Sequence, residues 1–163
     1  MSSFYSYMVI LSTYLVSSVS YVSCQWSSTE KYKNSLFILA MISGLLGLFV
    51  HFETLLNDIA QQNGLSLSLV NIISLIGFQL ALIAIIAAFN KSLRGFAGGV
   101  IFIASLSALL SIWSINQWGQ SNVEIKAMSW QIKTHILSSL FAYGLLRIRS
   151  AFFQAEDGIR DHA

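Results

Sequence analysis

The chain has 163 residues, 55% of them hydrophobic and only 10% charged, with no proline, one cysteine and a formal net charge of +2. A soluble domain carries about 25% charged residues, so too few charges are present to clothe a globule of this size in water, and the long apolar runs place the chain in the membrane class. The absence of any Lys/Arg cluster argues against a nucleic-acid partner. The lone Cys24 excludes an internal disulfide framework and every multi-cysteine metal site.

A bilayer core about 30 Å thick needs roughly 20 helical residues to cross it. Five segments qualify, at 4–23, 36–56, 67–89, 95–115 and 130–150. Residues 1–16 hold no Lys or Arg, so the first segment lacks the basic start of a cleaved signal peptide. It is rich in serine and the least hydrophobic of the five. Cys24 follows Val22 and Ser23 in a weak echo of a lipoprotein cleavage box, but Tyr21 is wrong for one and a second apolar span follows; it reads as an ordinary residue at a helix end. The second segment is apolar through Val50 and then amphipathic. The third is the longest clean run. Gly95, Gly98 and Gly99 open the fourth and permit close packing; without a following Lys-Ser/Thr they form no phosphate loop. Unbroken length selects helix over strand, because membrane strands run about 9–11 residues in strict alternation. The expected fold is all-α: a polytopic transmembrane helical bundle of about five spans over 1–150, with a non-native or disordered tail at 151–163.

Charge orders these spans across the membrane. The first loop carries Lys31 and Lys33, and the third carries Lys91 and Arg94. The second carries Glu53 and Asp58, and the fourth carries Glu124 with Lys126 and Lys133. The positive-inside tendency then puts loops one and three in the cytoplasm and the N-terminus outside. Trp26, Trp113, Trp118 and Trp130 fall near predicted span ends, as interfacial anchors do.

Two histidines lie inside spans, where an ionisable side chain is by default a functional candidate. The topology places His51 and His135 near the same outer face. Gly44 and Gly47 precede His51 by seven and four residues, and Ser138, Ser139 and Ala142 follow His135 by three, four and seven. These spacings share a helix face with the imidazole. Small residues there leave room either for a flat macrocycle ligated by the histidine or for a second helix packed close. Asn71, Ser74 and Gln79 on the third span are suited to interhelical hydrogen bonds. Glu53 is either a relay group beside His51 or an interfacial carboxylate. No Ser-His-Asp set, nucleotide motif or paired carboxylates can be placed, so hydrolytic and transfer chemistry have no candidates.

Leu48-Phe49-Val50-His51, an acidic loop containing Asn and Gly, and then Leu67-Ser68-Leu69-Val70-Asn71-Ile72-Ile73-Ser74-Leu75 resemble the cytochrome c assembly protein family. So does the stretch from Trp130 to Tyr143, where His135 is followed by Ser138-Ser139-Leu140-Phe141-Ala142-Tyr143. The resemblance covers roughly 36–146 in order and spacing, and is closest to the bacterial inner-membrane branch described as YpjD-like or CcsA-like. It implies haem handling at the outer face of the bacterial inner membrane in support of cytochrome c maturation, by a binding and delivery protein and not an enzyme. Its partners would be the lipid bilayer, haem and other maturation proteins. Carried over by position, His135 matches a proposed haem ligand, and His51 matches the second-helix histidine of the YpjD-like branch. The chain departs from the haem-handling pattern in one respect: Trp118-Gly119 has no W-x-W-D continuation.

The chain closes on Gln154-Ala155-Glu156-Asp157-Gly158-Ile159-Arg160-Asp161, which resembles an in-frame translation of a common sequencing-library adapter. The alternative is a genuine polar tail. The adapter reading makes the chain the N-terminal part of a protein of about eight spans, with native sequence ending between Leu146 and Phe153, and it removes His162 as a ligand. Arg147 in the inner half of the fifth span then either belongs to the junction or marks a short helix ending in a basic turn. In such a fragment, helices lacking their neighbours would expose Asn71 or His135 to lipid.

Overall fold

The computed structural model describes residues 3–61, 64–65 and 68–118, with His135, Ser138, Ser139 and Ala142. The chain divides into two compact units, Met1–Lys126 and Ala127–Ala163. Among the described residues the first holds four α-helices: α1 (Ser3–Trp26), α2 (Glu30–Ile59), α3 (Leu69–Ala87) and α4 (Arg94–Trp118). All four are long and apolar enough to cross a membrane. The fifth expected span lies outside the described residues, except that His135, Ser138, Ser139 and Ala142 are helical.

Each helix boundary has a local cause. α1 ends where Ser27, Ser28 and Thr29 follow one another, residues whose hydroxyls compete with the helical ladder. α2 begins six residues before the apolar run, because Glu30 suits a helix N-terminus and its carboxylate accepts from Lys33 Nζ at 3.0 Å. At 30 residues α2 is about 45 Å long and extends past the hydrocarbon thickness at its ends. Ser68 caps α3, its hydroxyl accepting from the Asn71 N–H at 3.2 Å. Asn90 caps the 3-10 turn Lys91–Leu93 that leads into α4. Between α2 and α3, two short strands, β1 (Ala60–Gln61) and β2 (Gly64–Leu65), pair antiparallel with Ala60 opposite Leu65. Strict alternation of apolar and polar residues never extends far enough there to announce a strand.

The helices form a ring in which α1 packs along α2 and α4, and α3 closes the ring against both. Polar side chains tie it together as well as apolar ones. Ser17 Oγ donates to the Ala40 carbonyl at 2.8 Å, and Ser18 Oγ donates to the Gly98 carbonyl at 2.8 Å. Serines that lowered the apparent hydrophobicity of the first span therefore join α1 to α2 and α4, where lipid offers no competing partner. Tyr7, Tyr14 and Tyr21 recur every seven residues on the same face and are all buried.

Contacts at the two ends of the ring agree with the charge pattern. The Arg94 guanidinium sits 3.8 Å from the Phe37 ring centroid, donates to the Ala88 carbonyl at 3.4 Å, and lies 4.0 Å from Cys24 Sγ. The α1–α2 and α3–α4 connections thus share one end. Tyr7 and Asp58 meet at the other, their oxygens 2.8 Å apart. Trp26 and Trp113 are exposed. The outward face is apolar too: Ile42, Leu46, Phe49 and Leu56 on α2, with Phe102 and Leu109 on α4, are exposed as lipid contact requires. Asn71 is buried, and its Nδ2 donates across from α3 to the Asp58 carbonyl on α2 at 3.3 Å, the interhelical bonding expected of it. Of the two residues that a fragment was expected to expose to lipid, Asn71 is not exposed.

Glycines set how closely the helices approach. A Cβ on Gly98 would stand 3.0 Å from the Ser18 carbonyl oxygen and 2.9 Å from Val22 Cγ2, whereas one on Gly99 would meet nothing within 4 Å. Gly98→Leu should cost about 1–3 kcal/mol by forcing α4 off α1, and Gly99→Ala should stay within about 0.5 kcal/mol. Unfolding of the two purified variants in detergent checks this; equal midpoints would contradict the assigned α1–α4 packing.

Candidate functional site

His51 is fully buried, about 12 Å along the axis from the end of α2. Nδ1 lies 3.1 Å from Tyr14 Oη on α1, and Nε2 lies 2.9 Å from Ser74 Oγ on α3. The Phe78 ring meets the imidazole edge-on with centroids 5.7 Å apart. One side chain on α2 is therefore held by both helices that flank it. A buried polar ring left unpartnered in this setting would cost several kcal/mol, and here both nitrogens are engaged.

The polar group continues toward the hairpin. Tyr7 Oη donates to Asp58 Oδ2 at 2.8 Å. Asn71 Nδ2 donates to the Asp58 backbone carbonyl at 3.3 Å. Register explains the array: α1 and α2 run antiparallel, so seven residues forward from Tyr7 to Tyr14 matches seven residues back from Asp58 to His51. Three helices, α1, α2 and α3, thus contribute to this buried group.

Sequence reading identified His51, Asn71 and Ser74 and overlooked Tyr7, Tyr14 and Asp58 as members of the site. The available signal was the period of seven among the tyrosines, which places phenols along a single helix face. Gln79 was expected to hydrogen-bond between helices; it is buried, and its Nε2 has no partner among the described residues. Glu53 is exposed and stands apart from the network.

The small residues beside His51 are filled by neighbouring helices. A Cβ on Gly44 would meet Ser17 Oγ at 2.9 Å and Ile85 Cδ1 at 3.1 Å, and one on Gly47 would meet Thr13 Oγ1 at 2.6 Å and the Tyr14 ring at 2.7 Å. Of the two uses open to that stripe, close helix packing is the one realised. Iron ligation needs an imidazole nitrogen with a free lone pair and space for the porphyrin. His51 has neither, so the residues around it do not fit a haem.

His135 differs. It is helical and exposed, within the unit Ala127–Ala163. Ser138 Oγ donates back to the His135 carbonyl at 3.0 Å and so lies along its own helix. Ser138 and Ala142 are exposed and Ser139 is half-buried.

Comparison of the chain with protein-family models, curated proteins and solved structures finds no match.

The geometry around His51 predicts energetic coupling. Ser74→Ala and Tyr14→Phe should each destabilise the bundle by about 1–3 kcal/mol, since each leaves one buried ring nitrogen without a partner. In a His51→Leu background the same substitutions should cost much less. Double-mutant cycles by detergent unfolding measure this, and strictly additive losses would show that the hydrogen bonds contribute nothing.

Proposed function

We propose that this chain is a multi-pass membrane protein of cytochrome c assembly, which holds haem at the outer face of a bacterial inner membrane and passes it on. The observation that carries the reading is the meeting of the two segments on which the family resemblance rests: His51 from 48–51 and Ser74 from 67–75 lie 2.9 Å apart, and Asn71 of the same stretch reaches the Asp58 carbonyl. Residues that resemble the family in sequence are thus also partners in space.

In this reading the end of the ring near Arg94 faces the cytoplasm, because Lys31, Lys33, Lys91 and Arg94 belong to the two connections at that end. The N-terminus and the hairpin are then outside. His135 is the haem ligand, on the helix that would be the fifth span. His51 is the internal fastener that sets the spacing of α1, α2 and α3. Haem is cargo, held through its iron by a neutral imidazole. The protein contributes binding and delivery, and no catalytic group is required.

A second reading is a structural or transport-associated membrane subunit without haem. The complete engagement of both His51 nitrogens favours it, since a histidine in such a bundle can be wholly accounted for by packing hydrogen bonds. The absorption spectrum of the protein purified from haem-replete cells separates the two. The haem reading expects a Soret band that is lost in His135→Ala and kept in His51→Gln, whose amide still hydrogen-bonds. A purified protein without bound haem would overturn it.

A further inference from the structure

Where the α1–α2 and α3–α4 connections meet, positive charge outnumbers negative. Lys31, Lys33, Lys91 and Arg94 accompany a single carboxylate, Glu30, which pairs with Lys33 at 3.0 Å. Four cations against one carboxylate leave a surplus of three. Cys24 joins the two connections: its thiol donates to the Lys33 carbonyl at 3.3 Å, and an Arg94 Nη lies 4.0 Å from the same sulfur. Arg94 is held there without being neutralised. Phe37 lies 3.8 Å from the guanidinium, and Nε donates to the Ala88 carbonyl at 3.4 Å. A guanidinium carries five N–H donors in a fork that matches phosphate, and among the described residues no carboxylate pairs with this one. Arg94 also opens α4, so the positive end of that helix's dipole adds to the same charge. Lys31 and Lys91 are exposed.

Exposed aromatic rings set the depth of this charge. Trp26 ends α1 and Tyr32 lies in the first turn of α2, while Phe89 stands just beyond α3 and Phe96 lies in the first turn of α4. Trp and Tyr settle at the headgroup level of a bilayer, which puts the cations of both connections level with lipid phosphates. We propose that this end of the bundle is a binding surface for an anionic phospholipid, whose phosphate is taken by Arg94 together with Lys91 and Lys31. A zwitterionic lipid brings its own cation into a region already rich in positive charge; an anionic headgroup does not. The exposed rings favour a lipid over a soluble phosphate ion, which has no acyl chain to lay against them. The surface requires neither the haem reading nor a choice of the side of the membrane it faces.

Native mass spectrometry of the full chain, titrated in detergent with phosphatidylglycerol and with phosphatidylcholine, tests the proposal. Wild type should prefer phosphatidylglycerol by more than about tenfold, and Lys31→Gln and Lys91→Gln should each lower that preference about fivefold. Arg94→Gln should lower it at least as far, with part of the loss restored in Arg94→Lys, which keeps the charge and loses the fork. Because Lys31 and Lys91 are exposed, their double variant reads the surface even if removing Arg94 disturbs the packing on Phe37. Equal binding of the two lipids by wild type would overturn the proposal, as would an unchanged preference in the double lysine variant. Displacement of phosphatidylglycerol by an equal concentration of inorganic phosphate would overturn it too, by making this a site for free anions.

Discussion

A buried imidazole in an apolar bundle must have both nitrogens partnered, and the rest of this structure is arranged around that requirement. His51 can reach Tyr14 only if α1 lies against the glycine face of α2, and it can reach Ser74 only if α3 comes up on the other side. Gly44 and Gly47 permit the first approach, because any larger residue there would strike Ser17, Thr13 or Tyr14. Lipid tails are as apolar as leucine, so helices in a membrane gain little from burying apolar surface against one another. Close packing and polar contacts must supply the specificity. The Ser17–Ala40 and Ser18–Gly98 bonds do this along the rest of α1.

The same constraint separates the two histidines by role. Enclosure by two helices and saturation of both nitrogens make His51 a fastener. His135 is exposed, with Ser138, Ser139 and Ala142 further along its helix. Sequence spacing treats them alike, because a histidine with glycine or serine at helical intervals is compatible with either a flat ring or a neighbouring helix. Only the positions of α1 and α3 distinguish those uses at His51.

Asp58 extends the network to the hairpin end. Its side chain accepts from α1 and its backbone carbonyl accepts from α3, so the last turn of α2 is held by both neighbouring helices just before the chain enters β1. The opposite end is organised by cation–π contact and carbonyl bonding at Arg94, where the basic residues of two connections gather. The bundle thus has chemically distinct ends, one cationic and one built on an acidic residue and phenols.

The sequence by itself determined the helical class, the positions of four spans to within a few residues at most boundaries, the pairing of the basic connections and the importance of His51, Asn71 and Ser74. These are legible because a membrane span needs a fixed length of apolar residues and tolerates a polar one only for a reason. The early start of α2 at Glu30 and the hairpin at Ala60–Leu65 were less legible, since a local ion pair and a two-residue pairing leave no periodic trace. What only the tertiary structure decided is which face meets which. Interhelical register put Tyr7 at Asp58 and Tyr14 at His51, turned a possible haem cleft into a packed seam, and buried Asn71. Register depends on the fit of two surfaces at once, which the periodicity of either helix alone does not contain.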